Sequence, residues 1–546
     1  MIVTFFLIYV TVVSNGVDLK NITKKRYAAK WSDLDSRPLP EWYDRAKIGI
    51  LVYWGLHSVP CYRSEWFWHL WKTERDESVT NFMANKYPPG FTYQDFAPYF
   101  EANSFSPKSF ADLFYKAGAK YVILTSKHYD GFTLFPSKHS PGWNSVEAGP
   151  KRDLVGELAN SIRRKGMKFG VYYSLFEWFN PIFLHDMQKE FQSRNYVNNK
   201  MRPEIEQLIR DYKPSVLWAD GDWPAYDIYW NSTALIAGLY NDSPVKHEVV
   251  VNDRWGRGTT CTHGDFYNCK KKYNPGYLTD HKWENVFSMD RQAWGCRRDR
   301  KARDVLTTRD LIKEVVTSVS LGGNVLISVP PTLEGTIEKV FQDRLLGLGA
   351  WLRVNGEAVY GTSPWRHQND IIANDVWYTC TKTNYDAKHP VRKPHDSEKI
   401  ISIYAIFLTW PPDNTIRLRY IPHYFLTEAF EIQLLGYNGK LKWNTTVKPS
   451  HLAIELPPKV HLRTDHAWSI KFNLTTDVIA INTNVPIKQN VELKAFNSVN
   501  LRVSKAGILT IIPPPLRGLK RVNKIKWTWD FYLSVVTLVH THCVAL

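Results

Sequence analysis

The chain has 546 residues, of which 44% are hydrophobic, 14% aromatic and 23% charged. That balance excludes a disordered, collagen-like or coiled-coil chain, and the length fits about two to four domains of ~100 to 200 residues. Seventy Lys and Arg against 53 Asp and Glu leave a net charge of +17; the basic residues are scattered singly, so they describe a solvated surface and no nucleic-acid groove.

Residues 1–16 read as a secretory signal peptide. Ile2 to Val13 is an apolar run, and Ser14 and Gly16 place small residues three and one positions before a cut after Gly16. The run is shorter than the about 20 apolar residues that cross a bilayer, so no integral membrane span is expected from it. Sequons at Asn21, Asn231, Asn444 and Asn473 agree with export, while the one at Asn241 is weakened by Pro244. The six cysteines are sparse for this length, so any disulfides are staples and not the framework of the fold. Cys261 and Cys269 are the expected pair. Their spacing matches no zinc ligand pair, and His263 between them reads as a loop histidine.

From residue 48 onward one unit recurs: a helical apolar period, a break at Gly or Pro, and a short β-rich run. Ser109 to Lys116 leads into Tyr121 to Thr125, Val155 to Lys165 into Phe169 to Tyr173, Arg202 to Tyr212 into Ser215 to Ala219, and Thr308 to Val319 into Asn324 to Val329. With Ile48 to Tyr53 and Glu248 to Asn252 this makes at least six strands. Apolar strands without alternation, each preceded by an amphipathic helix, predict a parallel sheet. An α/β fold of the (β/α)8-barrel type over residues 30–355 is the economical expectation, with an open doubly wound sheet as the alternative. No glycine-rich phosphate loop follows any strand, so no nucleotide cofactor is expected.

After about residue 355 the pattern becomes short alternating strands, at Val376 to Thr381, Ile400 to Leu408, Thr415 to Tyr420 and Glu431 to Gly436. Residues 356–477 therefore predict a C-terminal antiparallel β-sandwich. Residues 478–546 form an extension of unassigned structure. It holds a basic run from Arg517 to Lys526 and an apolar end from Phe531 to Leu546 that is too short for a comfortable membrane span.

Working residues of a parallel barrel come from the C-terminal ends of its strands. Those positions hold Glu65 and Trp66, His128 and Asp130, Tyr173 and Glu177, Asp220 and Asp222, Asp253 and Arg254, with Glu284 in a later segment. Carboxylates interleaved with tryptophan suit sugar chemistry, because indole faces cover the apolar side of a pyranose while acids bind hydroxyls and move protons. Two acids about 5 to 5.5 Å apart give retention, and about 6.5 to 9.5 Å gives inversion. Neither a His-Glu-x-x-His run nor a Gly-x-Ser-x-Gly elbow is present, so neither metal catalysis nor a serine nucleophile is expected.

The stretches KIGILVYWGLHSVP, SEWFWHLW, NKYPPGFTYQDF, AGAKYVILTSKHYDGF, LWADGDW, YNDSPVKHEVVVNDRWG, DHKWENVFSMDRQAWGCRRD and VSLGGNVLISVPP resemble, in order, the α-L-fucosidases of glycoside hydrolase family 29, in particular the animal tissue or lysosomal type. The resemblance implies a retaining, metal-free exo-hydrolase that removes terminal α-L-fucose from glycans in the lysosome or outside the cell, and it leaves a homo-oligomer open. It implies Asp220 as the nucleophile, Glu284 as the acid and base, and Glu65, Trp66, His128, Tyr173, Trp218 and Arg254 as pocket residues.

The sequence departs from the family pattern at Tyr53 and Tyr129, where the family carries fucose-binding histidines, and at Ser328 and Pro330. A tyrosine carries its hydroxyl farther from the backbone and does not become cationic near neutral pH. Two readings follow. One is an active fucosidase with an altered pocket; the other is a secreted, non-catalytic fucose-binding relative whose pocket Tyr53 and Tyr129 have rebuilt.

Overall fold

The computed structural model describes residues 25–473, apart from 374, 384, 393–399, 422–430, 448–449 and 463, together with a hairpin at 500–503 and 509–512. The expected signal peptide, Asn21 and nearly all of the C-terminal extension lie outside the described residues.

Seven parallel strands form one sheet: β1 (Ile48–Val52), β2 (Tyr121–Lys127), β3 (Lys168–Ser174), β4 (Val216–Asp220), β5 (Val250–Val251), β6 (Glu284–Ser288) and β7 (Asn324–Val329). They are ordered β5-β4-β3-β2-β1-β7-β6. Residues 265–268 connect the two edges. The Asp265 and Phe266 amides donate to Val251 O on one side, while Tyr267 accepts from the Glu284 amide and donates to Lys282 O on the other. An irregular eighth stave thus closes the barrel that the sequence predicts.

Helices cover the outside where the apolar period predicts them. The helix Leu154–Arg164 starts at Asp153, whose side chain accepts from the Gly156 amide, and it buries Leu154, Val155, Leu158, Ala159 and Ile162. Thr308–Ser320 opens with a reciprocal capping box between Thr307 and Asp310. From Asn252 to Trp283 no helix occurs, because this stretch is rich in Gly, Asn, Thr and Lys and offers no apolar period. The Cys261–Cys269 disulfide pins it, as expected. A second disulfide, Cys61–Cys296, joins segments 235 residues apart and ties the loop after β1 to the loop after β6.

Strand alternation divides the barrel into two cores. Outward residues such as Val122, Leu124, Phe169, Val171 and Leu217 meet the helices, while Leu51, Tyr121, Ile123, Tyr172, Val216, Trp218, Val286 and Leu326 fill the interior. Gly49 makes room for this filling, since a Cβ there would lie 2.2 Å from the Tyr121 ring.

The C-terminal region is antiparallel. A five-stranded sheet, ordered β12 (Glu431–Leu434), β15 (Trp468–Asn473), β10 (Ile400–Phe407), β9 (Val376–Lys382) and β8 (Ser363–Asn369), faces a three-stranded sheet of β11 (Thr415–Leu418), β14 (Ser450–Glu455) and β13 (Lys442–Val447). Ile403, Ala405, Phe407, Ile416, Leu418, Leu434, Leu452, Ile454, Ile470 and Phe472 form the core between them. The sandwich is held to the barrel through the helix Lys339–Asn355, whose Trp351 Nε1 donates to Ala467 O at 2.9 Å.

Candidate active site

The barrel's C-terminal mouth is organised around Asp220, the last residue of β4. Its Oδ2 accepts from the Tyr129 hydroxyl at 2.6 Å and from the Tyr172 hydroxyl at 2.8 Å. Its Oδ1 faces Arg254 Nη1 at 3.4 Å. The Tyr129 ring lies against the backbone that follows Asp220. Gly221 has φ +74°, and a Cβ there would lie 2.8 Å from Tyr129 Cε1 and 2.9 Å from Phe176 Cδ1, so glycine is required by both conformation and space. Burial and then Asp220 raise the Tyr129 phenol well above its ordinary pKa, and the same holds for Tyr172, so both stay protonated and donate. Burial works against the charge of Arg254, and Asp220, Asp253 and Asp222 more than restore it.

Aromatic side chains wall the mouth. Tyr129 has Phe176 at 5.0 Å, Trp178 at 5.3 Å, Trp66 at 5.5 Å and Trp223 at 5.7 Å between ring centres. Trp66 and Trp223 stack on each other, and Trp223 remains 41% exposed at the rim. On the β1 side the Tyr53 hydroxyl bonds His128 Nε2 at 2.9 Å. The His57 ring lies 5.1 Å from His128, and neither of its nitrogens has a partner among the described residues. Burial drives the His57 pKa down to about 3 and that of His128 well below its ordinary value, with His57 adding to the latter, so both imidazoles are neutral.

Glu65 reaches the same wall. Its Oε2 accepts from the amides of Trp294 at 2.9 Å and Gly295 at 3.2 Å. The Trp294 ring lies 6.0 Å from Tyr53, and the charges of Glu65 and Asp220 both act on the Tyr53 hydroxyl. Asp222, two residues beyond Asp220, is pushed up to about 6 by burial and by Asp220. Asp253 gathers with Cys261 and Cys269, but the two sulfurs are bonded to each other and Asp253 Oδ2 accepts both cysteine amides. That cluster is a loop anchor and not a metal centre.

Two expected site residues stand elsewhere. Glu284 is the first residue of β6, at the opposite end of the barrel from Asp220, and it is fully buried. Its carboxylate accepts from Tyr121 Oη at 2.6 Å, Tyr43 Oη at 2.8 Å, Trp218 Nε1 at 3.1 Å and Asn268 Nδ2 at 3.2 Å. Burial raises its pKa against these bonds, which is the direction a general acid needs, yet the Trp218 indole, one of the four donors, separates it from the mouth. Tyr173 points outward from β3, where its hydroxyl donates to Glu204 Oε2 at 2.8 Å and accepts from Lys127 Nζ at 2.9 Å. Its neighbour Tyr172 takes the inward position.

The structure brings Tyr53, Glu65, Trp66, His128, Tyr129, Asp220 and Arg254 together around the mouth. Trp218 forms the floor, its ring stacked on Tyr172 at 5.5 Å with the Arg254 guanidinium 5.5 Å away. Sequence reasoning missed Tyr172, Phe176, Trp178, Trp223, Trp294 and His57. The parity of β3 carries a signal for the first: Phe169, Val171 and Tyr173 form its apolar helix-facing row, which leaves Gly170, Tyr172 and Ser174 facing in.

A family model described as alpha-L-fucosidase matches residues 17–357, and one described as alpha-L-fucosidase C-terminal domain matches residues 368–473. The chain is 45% identical over 452 residues to tissue alpha-L-fucosidase of Mus musculus, covering 82% of this chain and 95% of the relative. It is 48% identical over 433 residues to plasma alpha-L-fucosidase of Homo sapiens, covering 79% and 89%. Among solved structures it is similar to the Thermotoga maritima alpha-fucosidase in complex with a mechanism-based inhibitor, with a TM-score of 0.67 and 32% identity over 82% of this chain and all of that one.

Proposed function

The chain belongs to the α-L-fucosidase family, a glycoside hydrolase family acting on terminal fucose, and from that premise we propose that it cleaves α-L-fucosides through a covalent fucosyl-enzyme on Asp220. The observation that carries this reading is the setting of Asp220: a carboxylate at a strand end, with two tyrosine hydroxyls on one oxygen and an arginine beside the other. Asp220 attacks the anomeric carbon, and the departing oxygen takes a proton from an acid on the opposite wall. We assign that role to Glu65, whose Oε2 is held by the amides of Trp294 and Gly295, beside the Trp294 ring that lies 6.0 Å from Tyr53. Glu65 then removes a proton from the water that releases fucose, as the symmetry of a retaining double displacement requires.

Trp66 and Trp223 suit the apolar face and methyl group of fucose, and Tyr53, His128 and Arg254 offer polar atoms to its hydroxyls. The substrates are terminal α-L-fucose residues of glycoproteins, glycolipids or oligosaccharides. Two disulfides and four sequons fit passage through the secretory pathway to a lysosome or the extracellular fluid.

The test is release of nitrophenol from an α-L-fucoside by the purified protein from acid to neutral pH, beside Asp220→Asn. Turnover lost in the variant supports the reading. Absence of turnover in the folded wild-type protein overturns it in favour of a fucose-binding relative.

A further inference from the structure

We propose that Tyr129, together with Tyr172, divides the labour of the two Asp220 oxygens: Oδ1 attacks, and Oδ2 is held as a hydrogen-bonded acceptor that makes the carboxylate a better leaving group in the second step. The inference rests on Asp220 being the nucleophile. A carboxylate oxygen accepts about two in-plane hydrogen bonds, and the tyrosines supply two to Oδ2 at 2.6 and 2.8 Å. Oδ1 has only the long Arg254 contact at 3.4 Å among the described residues, so its lone pairs are available for attack.

The Tyr129 hydroxyl is not free to swing toward a sugar. Five rings surround its own, those of His128, Trp66, Phe176, Trp178 and Trp223, and the absent Cβ of Gly221 is the space that lets that ring lie against the turn. The side chain expected to bind the sugar is thus a positioning residue for the nucleophile.

The consequence is asymmetric between the steps. In the first, the Oδ1–C1 bond forms, the C1–O bond to the aglycone breaks, and the aglycone oxygen takes the electron pair and the proton of the acid. Negative charge on Asp220 falls, so donors to Oδ2 stabilise the ground state more than the transition state. In the second, water oxygen bonds to C1, the C1–Oδ1 pair returns to the carboxylate, and the water proton goes to the base. Charge on Asp220 now grows, and the same two donors stabilise the transition state.

The experiment is Tyr129→Phe, which keeps the ring and removes the hydroxyl, assayed with a nitrophenyl α-L-fucoside by steady-state and pre-steady-state kinetics. The expected result is a fall in kcat of about tenfold or more, a parallel fall in KM that leaves kcat/KM at or above wild type, and a burst of nitrophenol equal to the enzyme. A fall in kcat/KM without a burst overturns the proposal, because loosening of Asp220 would do that. Labelling both proteins with 2-deoxy-2-fluoro-α-L-fucosyl fluoride and mapping the labelled peptide separates the two readings. Label on a residue other than Asp220 overturns the nucleophile assignment, and label on Asp220 with unaltered kinetics overturns the role of Tyr129 alone.

Discussion

Trp218 Nε1 donates to Glu284 Oε1 at 3.1 Å from beneath an indole whose ring stacks on Tyr172, so a single side chain divides the barrel interior into a floor and a mouth. Glu284 belongs to the floor and Asp220 to the mouth, which is why two acids that look alike in the sequence have different fates.

Glu284→Gln is expected to cost about 1–3 kcal/mol of stability, because its amide group meets donors where the carboxylate accepted four. The kcat of the folded variant should stay close to wild type. Denaturant titration and fucoside kinetics on the same preparation check both, and loss of turnover with unchanged stability would return Glu284 to the chemistry.

Glu65→Gln should separate substrates by leaving group. Natural fucosylated oligosaccharides need a proton on the departing oxygen and should lose most turnover, whereas a fucoside with an acidic phenol leaves unaided and should keep its first step. Added azide should restore release of the sugar as fucosyl azide, seen by mass spectrometry. Equal losses on both substrates would reduce Glu65 to an anchor for Trp294 and Gly295.

Much of this was legible in the sequence, and each error has its own physical cause. The strands and their preceding helices could be read because the helical period of Leu158 and Ile162, or of Leu311 and Val315, stops at a glycine or proline before each apolar run. Asp220 could be read because it ends such a run. Tyr172 was passed over for Tyr173 because a strand buried on both faces shows no polarity difference at adjacent tyrosines; only the row to which each belongs distinguishes them. Glu284 was misplaced because the segment after Lys282 reads as a loop, yet β6 begins at Glu284 itself. Cys61 and Cys296 meet only once the barrel has brought the loops after β1 and β6 together, across 235 residues that no local pattern spans.

Returning the two departures to histidine tests what they contribute. Tyr53→His removes the hydroxyl that bonds His128 Nε2, and Tyr129→His shortens the reach to Asp220 Oδ2. If the tyrosines limit sugar binding, the double variant should bind fucose more tightly, by about 1–3 kcal/mol if it gains a hydrogen bond to a sugar hydroxyl. Titration calorimetry with fucose measures this, and unchanged affinity would show that these two positions do not limit sugar binding.

The buried histidine beside them governs how the fold responds to acid. Burial holds the folded pKa of His57 down to about 3, against its ordinary value of 6.5. The unfolded chain therefore takes up a proton that the folded one refuses, so the stability His57 preserves is complete above the unfolded value and lost as pH falls below it. Between about pH 7 and about pH 5 the loss is about 2 kcal/mol. His128, also held low, pulls the same way. Asp130 and Asp222 oppose it: their folded values of about 6 lie above 3.8, so each makes the fold more stable as pH falls through 6, by about 1 kcal/mol over the same interval. His57→Phe removes one proton site and two unpartnered nitrogens while keeping a ring of similar bulk. Its denaturation midpoint should exceed wild type at neutral pH and exceed it by more at acid pH. Parallel midpoints for the two proteins across that range would mean that His57 titrates normally in the fold, and that the pocket beside Tyr53 is wetter than its burial indicates.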